Sequence, residues 1–308
     1  MNKLTAIIPF LNEGIEIERT LESIRETAEN KVDIIVINDN SQDDTDYESV
    51  AKKYNARYYY NVTRQGVAQS RNIGVELCET PYFILFDGHM RFYHNDWWNE
   101  TVKALDDNDR ATYCLRCLPL DDKFQLMENT SMGACINMDE AAGNAILDPA
   151  WRYGNNEIDK LIIQIPCVLG ACYALSKRYW TYLKGLTGLK TYGCDEAYLS
   201  LKTWLEGGSC LLFKEIKVGH IFRPKAPYSM SSVDLMYNKL LMAESVLPYE
   251  QKKTVFSNIQ KSNSYEFTEA MKLLVANKKL VAELKSYYLQ IFTSDIDSFI
   301  KFNQDMKQ

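Results

Sequence analysis

The sequence predicts an α/β protein, a doubly wound and mostly parallel sheet followed by a helical C-terminal appendage. Three observations carry this expectation. Over the first 120 residues, short apolar runs alternate with amphipathic stretches, the pattern of βαβ units. The chain is 46% hydrophobic and 12% aromatic, which makes it globular rather than disordered. After Pro227 the strand-like runs stop, and Leu, Lys and Glu recur at helical spacing, as in 270–289. The expected division is a domain over 1–228 and a helical extension over 229–308.

The elements follow in order. Residues 4–9 read as a buried strand, and 16–29 as a helix with Ile17, Leu21 and Ile24 on one face. Residues 33–38, DIIVIN, are β-branched and read as a second strand. A helix is expected over 44–54, a strand over 56–60, a helix over 67–78 and a strand over 82–86. Another helix over 96–105 precedes a strand near 112–117. Residues 121–158 lose periodicity and read as a polar excursion over the sheet edge. The core resumes at 165–175. A helix over 196–204 is stopped by Gly207-Gly208, and strands are expected at 210–213 and 216–218. Residues 232–308 read as helical.

Charge and cysteine content narrow the setting. The 35 basic and 41 acidic residues give a net charge of −6, with no long basic run. Binding to a bulk nucleic-acid backbone is therefore disfavoured, while a nucleotide-sized ligand stays open. No stretch approaches the roughly 18 apolar residues of a membrane span. The run before Asn12-Glu13-Gly14 lacks a cleavage site, so it does not read as a signal peptide. Eight cysteines are too sparse for a disulfide scaffold and sit mostly in apolar stretches, as buried thiols do. Cys114 and Cys117 have CxxC spacing but no second pair and no nearby histidine, which argues against structural zinc. The expected setting is reducing and cytoplasmic, at most peripheral to a membrane.

Ligands of doubly wound sheets bind beyond the carboxyl ends of the strands, so polar residues there carry the functional reading. Phe86-Asp87-Gly88-His89 closes an apolar strand. Asp and His at i and i+2 of an extended chain share a side and can reach one cation, with Gly88 admitting a ligand between them. The bland alternative is a capping Asp and a surface His. His220 also ends a strand, and it is one of only three histidines, with His89 and His94. Together Asp87, His89 and His220 would leave open positions for a diphosphate. Asp39 follows the second strand in a composition typical of turns, or else accepts hydrogen bonds from a base or ribose. Arg71 is either solvated or bound to a nucleotide phosphate. Asp195 and Glu196 begin a helix, where carboxylates also serve the macrodipole. The functional reading gives one of them the acceptor hydroxyl. Neighbouring side chains diverge by about 100°, so one carboxylate is expected to face the donor and the other to cap the helix or meet solvent.

These residues resemble a known family. Ile7-Ile8-Pro9-Phe10-Leu11-Asn12-Glu13, the Asp39 turn and the Arg71 segment are similar to the nucleotide half of family 2 glycosyltransferases with the GT-A fold. Asp87-Gly88-His89, in place of Asp-x-Asp, resembles the polypeptide N-acetylgalactosaminyltransferases. Tyr192-Gly193-Cys194-Asp195-Glu196 through Trp204-Leu205-Glu206-Gly207-Gly208 is similar to that group's Trp-Gly-Gly-Glu-Asn through Trp-Gln-Cys-Gly-Gly. Val218-Gly219-His220-Ile221-Phe222-Arg223 is similar to its Val-Gly-His-Val-Phe-Arg. The resemblance covers about 4–228. It implies a GT-A fold and manganese, or another divalent cation, on Asp87, His89 and His220. It also implies uridine at Asp39 and nucleotide contacts from Pro9, Asn12, Glu13, Arg71 and Asp87. Asp195 falls at the family's Glu and Glu196 at its Asn, so the resemblance favours Asp195 as the carboxylate that faces the donor sugar.

The function these features imply is a metal-dependent glycosyltransferase. It would take a UDP-sugar, such as UDP-GalNAc or UDP-GlcNAc, and move the sugar to a glycan, lipid-linked or peptide acceptor. The alternative is a binding module that holds a nucleotide sugar without turnover. A dinucleotide-dependent oxidoreductase is disfavoured, because no Gly-x-Gly-x-x-Gly follows the first strand. Selectivity is expected to lie in 121–153 and around 165–172.

Overall fold

The computed structural model describes residues 1–154, 160–169, 171–223 and 227–307. The chain opens with β1 (Leu4–Phe10), α1 (Ile15–Ala28), β2 (Asp33–Asn38), α2 (Tyr47–Lys53), β3 (Arg57–Tyr60), α3 (Val67–Leu77) and β4 (Tyr82–Phe86). These four strands pair in parallel in the order β3-β2-β1-β4. All seven residues of β1 are buried, because helices cover both faces of the sheet. Alternate side chains serve opposite layers. Ile7, Ile35 and Ile37 pack with Ala68 and Val75 of α3. Ile8, Ile34 and Val36 pack with Ile17, Leu21 and Ile24 of α1.

Then come β5 (Met90–Phe92), α4 (Trp97–Asp107), β6 (Ala111–Pro119), β7 (Ser131–Ile136), a 3-10 helix (Glu140–Ala145), β8 (Pro149–Tyr153) and β9 (Ile162–Gln164). β10 (Cys172–Ser176), α5 (Lys177–Tyr182), α6 (Asp195–Leu205) and β11 (Ser209–His220) follow. The nine-stranded sheet continues from β4 as β10-β6-β11-β5, with β9 also on β11. β10 runs against β4 and β6, and β5 and β9 run against β11. β1 to β4, β6 and β11 thus all point one way. Their carboxyl ends lie along one edge of the sheet, and the candidate site residues are gathered there.

Several expectations differ in detail. The helix expected over 44–54 begins only at Tyr47. Asp46 caps it by accepting from the Ser49 N–H at 3.1 Å, and Asp43 accepts from the Tyr47 hydroxyl at 2.6 Å, so 43–45 stay in the turn. The strands expected at 210–213 and 216–218 are one strand, β11. Its pairing with β6 shifts register between Phe213 and Lys217, and such an irregularity breaks the apolar pattern without ending the strand. The excursion at 121–158 contains an antiparallel pair, β7 and β8; its end, 155–158, lies outside the described residues. β5 and α5, of three and six residues, are too short for periodicity to reveal.

Among the described residues five helices follow residue 228: α7 (Ser232–Val246), α8 (Tyr249–Ser262), α9 (Ser264–Ala276), α10 (Lys278–Ile291) and α11 (Ile296–Asp305). Their apolar faces, with Leu240, Leu241 and Tyr288, share one core with Leu199 and Leu201 of α6. Asn238 of α7 is fully buried. It accepts from the Lys190 N–H at 2.7 Å and donates to the carbonyls of Lys190, Tyr192 and Gly193. The loop leading into α6 is thereby set by α7. All eight cysteines are buried and none is in a disulfide. No helix among the described residues is long and apolar enough to cross a membrane.

Candidate active site

A cleft of about 710 Å³ opens at the carboxyl edge of the sheet. Asp87, His89 and His220 meet there, each offering one ligand atom within 4.8 Å of the others. His220 Nε2 lies 3.3 Å from Asp87 Oδ2, and the two imidazole rings are 4.7 Å apart. Strand pairing produces the meeting. β11 runs antiparallel to β5 with His220 opposite Met90, and the Ile221 N–H donates to the His89 carbonyl at 3.3 Å. One carboxylate and two imidazoles suit a divalent transition cation, so these residues fit the cation that the resemblance implies.

One point of local geometry corrects the sequence reading, and a second adds to it. Asp87 and His89 do not lie on an extended chain. They sit in the turn joining β4 to β5, and it is the turn that brings both side chains to His220. Gly88 does line the cleft, but its missing Cβ also serves the protein itself. A Cβ there would lie 3.0 Å from both Glu13 Cγ and Ile17 Cδ1.

Arg71 is 3% exposed and lies between two carboxylates. Its Nη2 is 3.2 Å from Asp87 Oδ1, its Nη1 pairs with Asp195 Oδ2, and the guanidinium lies 5.4 Å from the centre of the Tyr173 ring. Burial opposes the guanidinium charge, but Tyr173, Asp87 and Glu196 outweigh it and hold the pKa above its ordinary value. Burial likewise pushes the Asp87 carboxyl up. The His220 hydrogen bond and the Arg71 charge prevail and keep it well below the usual carboxylate range.

Asp195 and Glu196 open α6, and both border the cleft. One of the two was expected to face the donor and the other to cap the helix or meet solvent; the two do differ in surroundings, and neither is fully exposed. Cys194, at φ 73°, and Gly193, at φ 92°, turn the chain sharply, so that the first turn of α6 faces the cleft end-on. Asp195 is buried against Arg71, whereas Glu196 is half-buried. Burial raises the Glu196 pKa, Arg71 pulls it down, and Asp87 and Asp148 add to the rise.

The loops after β1 and β2 complete the floor. Asp39 borders the cleft, yet its carboxylate already accepts from the Gln65 N–H at 2.7 Å, the Gly66 N–H at 2.8 Å and Asn61 Nδ2 at 2.8 Å. One of its roughly four acceptor positions remains. Gly66, at φ +88°, is required, because a Cβ would run into the Thr191 backbone. Pro9 and Glu13 line the cleft. Asn12 braces the loop, with its N–H donating to Ser41 Oγ at 2.9 Å and its Oδ1 accepting from the Gln42 N–H at 2.8 Å.

The sequence reading did not single out the aromatic rim, where Trp151 and Phe222 lie 6.0 Å apart near Tyr192. Nor did it give Arg223 a role beyond its motif. Arg223 Nη2 meets Glu13 Oε2 at 2.5 Å across 210 positions of the chain. The motif around His220 was the one signal for either.

Comparison with known proteins agrees with this architecture. Polypeptide N-acetylgalactosaminyltransferase 4 of Caenorhabditis elegans is 23% identical over 303 residues, covering 94% of this chain and 50% of the relative. The chain therefore spans about half the length of the curated relatives it matches. The crystal structure of GalNAc-T7 with UDP, GalNAc and Mn2+ superimposes with a TM-score of 0.77 at 18% identity, covering 98% of this chain and 56% of that one. S. aureus TarS 1-349 in complex with UDP-GlcNAc gives a TM-score of 0.55 at 12% identity, covering 99% and 88%. The fold is GT-A. The family model for glycosyl transferase family 2 matches residues 5–171, and with that match over more than half its length the chain belongs to glycosyl transferase family 2.

Proposed function

We propose that this chain is a metal-dependent glycosyltransferase, with residues 1–228 as the transferase domain and 229–308 as an extension that steadies it. The donor is a nucleoside diphosphate sugar, in the first instance UDP-GalNAc or UDP-GlcNAc. The acceptor is a hydroxyl of a glycan, lipid-linked or peptide molecule. One observation carries the reading: Asp87, His89 and His220 converge within 4.8 Å in the same cleft that Asp195 and Glu196 border.

Manganese or a similar divalent cation on those three side chains supplies positive charge against a diphosphate leaving group, often the largest catalytic contribution. It also accounts for a net acidic chain accepting an anionic donor. The protein's own groups do the rest. Arg71 holds Asp87 and Asp195 in fixed relation. Asp39 keeps the 65–66 turn in place and has an acceptor position left for a uracil imide or a ribose hydroxyl. Asp195 and Glu196 face the reacting sugar. Glu196, whose pKa burial raises, is suited to take a proton from an acceptor hydroxyl. The Trp151 and Phe222 rim and the 121–153 wall select the acceptor.

The test is a hydrolysis screen of nucleotide sugars with and without Mn2+. Slow transfer to water identifies the donor even with no acceptor known. Manganese-dependent release of UDP from one donor is the expected result. Tight, manganese-dependent binding with no release from any donor would instead indicate a nucleotide-sugar-binding module.

A further inference from the structure

We infer that Glu13 is a positioning residue of the cation site, holding His89 from behind rather than contacting a nucleotide. The inference rests on the cation reading proposed above. Glu13 Oε2 lies 3.1 Å from His89 Nδ1 and 2.5 Å from Arg223 Nη2, and the side chain is 5% exposed. A carboxylate ion-paired with arginine only accepts, so Nδ1 of His89 carries the hydrogen. The other ring nitrogen, Nε2, is then left with its lone pair for a cation. A histidine ligand whose far nitrogen donates to a carboxylate is oriented and made more basic by it.

The surrounding chain is built for this contact. Gly88 has no Cβ, and one placed there would sit 3.0 Å from Glu13 Cγ, so the glycine admits Glu13 beneath the Asp87–His89 turn. The loop carrying Glu13 is clamped on both sides. The Asn12 N–H donates to Ser41 Oγ at 2.9 Å, and the Gly14 N–H donates to the Tyr47 hydroxyl at 2.7 Å. Asn12 and Gly14 hold φ values of 54° and 56°, the left-handed region that presents Glu13 inward. His220 contrasts with His89: its Nδ1 is buried and has no hydrogen-bond partner among the described residues. His220 Nε2 meets Asp87 Oδ2 at 3.3 Å, a contact inside the cluster itself, so of the two histidines only His89 is held by a carboxylate outside the cluster, and that carboxylate is Glu13. Arg223 shares the same oxygen, so one carboxylate fixes both a ligand and a cation at the rim of the cleft.

The experiment uses the full chain and Mn2+ alone, without nucleotide, near pH 7.5. Manganese affinity is measured by titration and by the electron paramagnetic resonance of free Mn2+. Ring-nitrogen NMR on histidine-labelled protein reads the tautomers directly, since the chain has only three histidines. His89→Ala assigns the key signal. Glu13→Ala is expected to weaken Mn2+ binding about 10–100-fold, the usual cost of a lost outer partner, and to abolish the Nδ1–H preference of His89. Glu13→Gln, which still accepts from Nδ1–H, is expected to keep the tautomer and lose less affinity. It carries the test if the alanine variant does not fold. Unchanged Mn2+ affinity and tautomer in both variants would overturn the inference. So would a loss confined to UDP binding, which would make Glu13 a nucleotide contact. A wild type with no Mn2+ affinity would remove the cation reading itself, a result distinct from a wild type that binds and a variant that binds equally well.

Discussion

Replacing Arg71 by Met keeps an unbranched chain of similar reach and removes the guanidinium. Asp195, 5% exposed at its side chain, then loses its partner in the interior. Asp87 is 29% exposed and keeps His220 Nε2 at 3.3 Å, so it suffers less. Removing one member of a buried ion pair costs about 3–5 kcal/mol. With only one of the two carboxylates fully stranded, the lower end applies, about 3 kcal/mol. At about 2–4 °C per kcal/mol for a chain somewhat shorter than this one, the unfolding midpoint should fall by about 6–12 °C. Thermal unfolding followed by circular dichroism is the assay. Arg71→Lys should recover part of the loss, because one ammonium cannot span both carboxylates. Arg71→Met with Asp195→Asn should recover more, with a coupling of about 0.5–3 kcal/mol. Manganese should raise the midpoint of the single variant but not close the gap, because it compensates Asp87 and leaves Asp195 unpaired. An unchanged midpoint in Arg71→Met would refute the reasoning, since it would mean that neither carboxylate depends on the guanidinium.

His220→Ala should weaken manganese-dependent UDP binding strongly in calorimetry, while His94→Ala, at an exposed residue outside the cluster, should bind as the wild type does. Asp39→Ala should lower UDP affinity by roughly 1.5–3 kcal/mol; because Asp39 also holds the Gln65 and Gly66 amides, faster amide exchange at those two positions should accompany the loss. Asp195→Asn and Glu196→Gln should each cut turnover, and if Glu196 takes the acceptor proton its variant should lose at least about 100-fold, as read from steady-state release of UDP. The raised Glu196 pKa adds a stability signature. An ionised Glu196 is disfavoured in the folded state, so wild-type stability falls as pH rises from the unfolded value of about 4.3 through the folded one; Glu196→Gln should therefore be the more stable protein at pH 7 and equal to the wild type near pH 3.5 by denaturant unfolding.

Much of the fold is legible along the chain, because each long element carries its own signal. DIIVIN at 33–38 reads as a strand from its β-branched residues and becomes β2 with the same bounds. Ile17, Leu21 and Ile24 mark the buried face of α1 before any neighbour is known. The helical character after Pro227 is likewise local. Elements that depend on a partner are less visible. β5 has three residues and exists because β11 pairs with it. β7 and β8 stabilise each other inside a stretch whose polarity suggests loop.

The candidate site divides in the same way. Residue type and strand-end position pick out Asp87, His89 and His220, since carboxylates and histidines closing apolar strands are unusual and chemically specific. What those residues touch is decided by contacts between distant parts of the chain, which no local pattern encodes. Glu13 and Arg223 are 210 positions apart and share a 2.5 Å contact. Arg71 reads locally as an arginine near a helix start, and only the tertiary fold, which brings Asp87 after β4 and Asp195 at the start of α6 to the same guanidinium, turns it into a buried bridge between two carboxylates. By itself, the sequence determined which groups stand at the carboxyl edge of the sheet, because strand propensity and hydrophobic alternation are local. Tertiary structure alone decided which of them are paired, buried or open to the cleft, because burial and charge pairing depend on what the rest of the chain brings alongside.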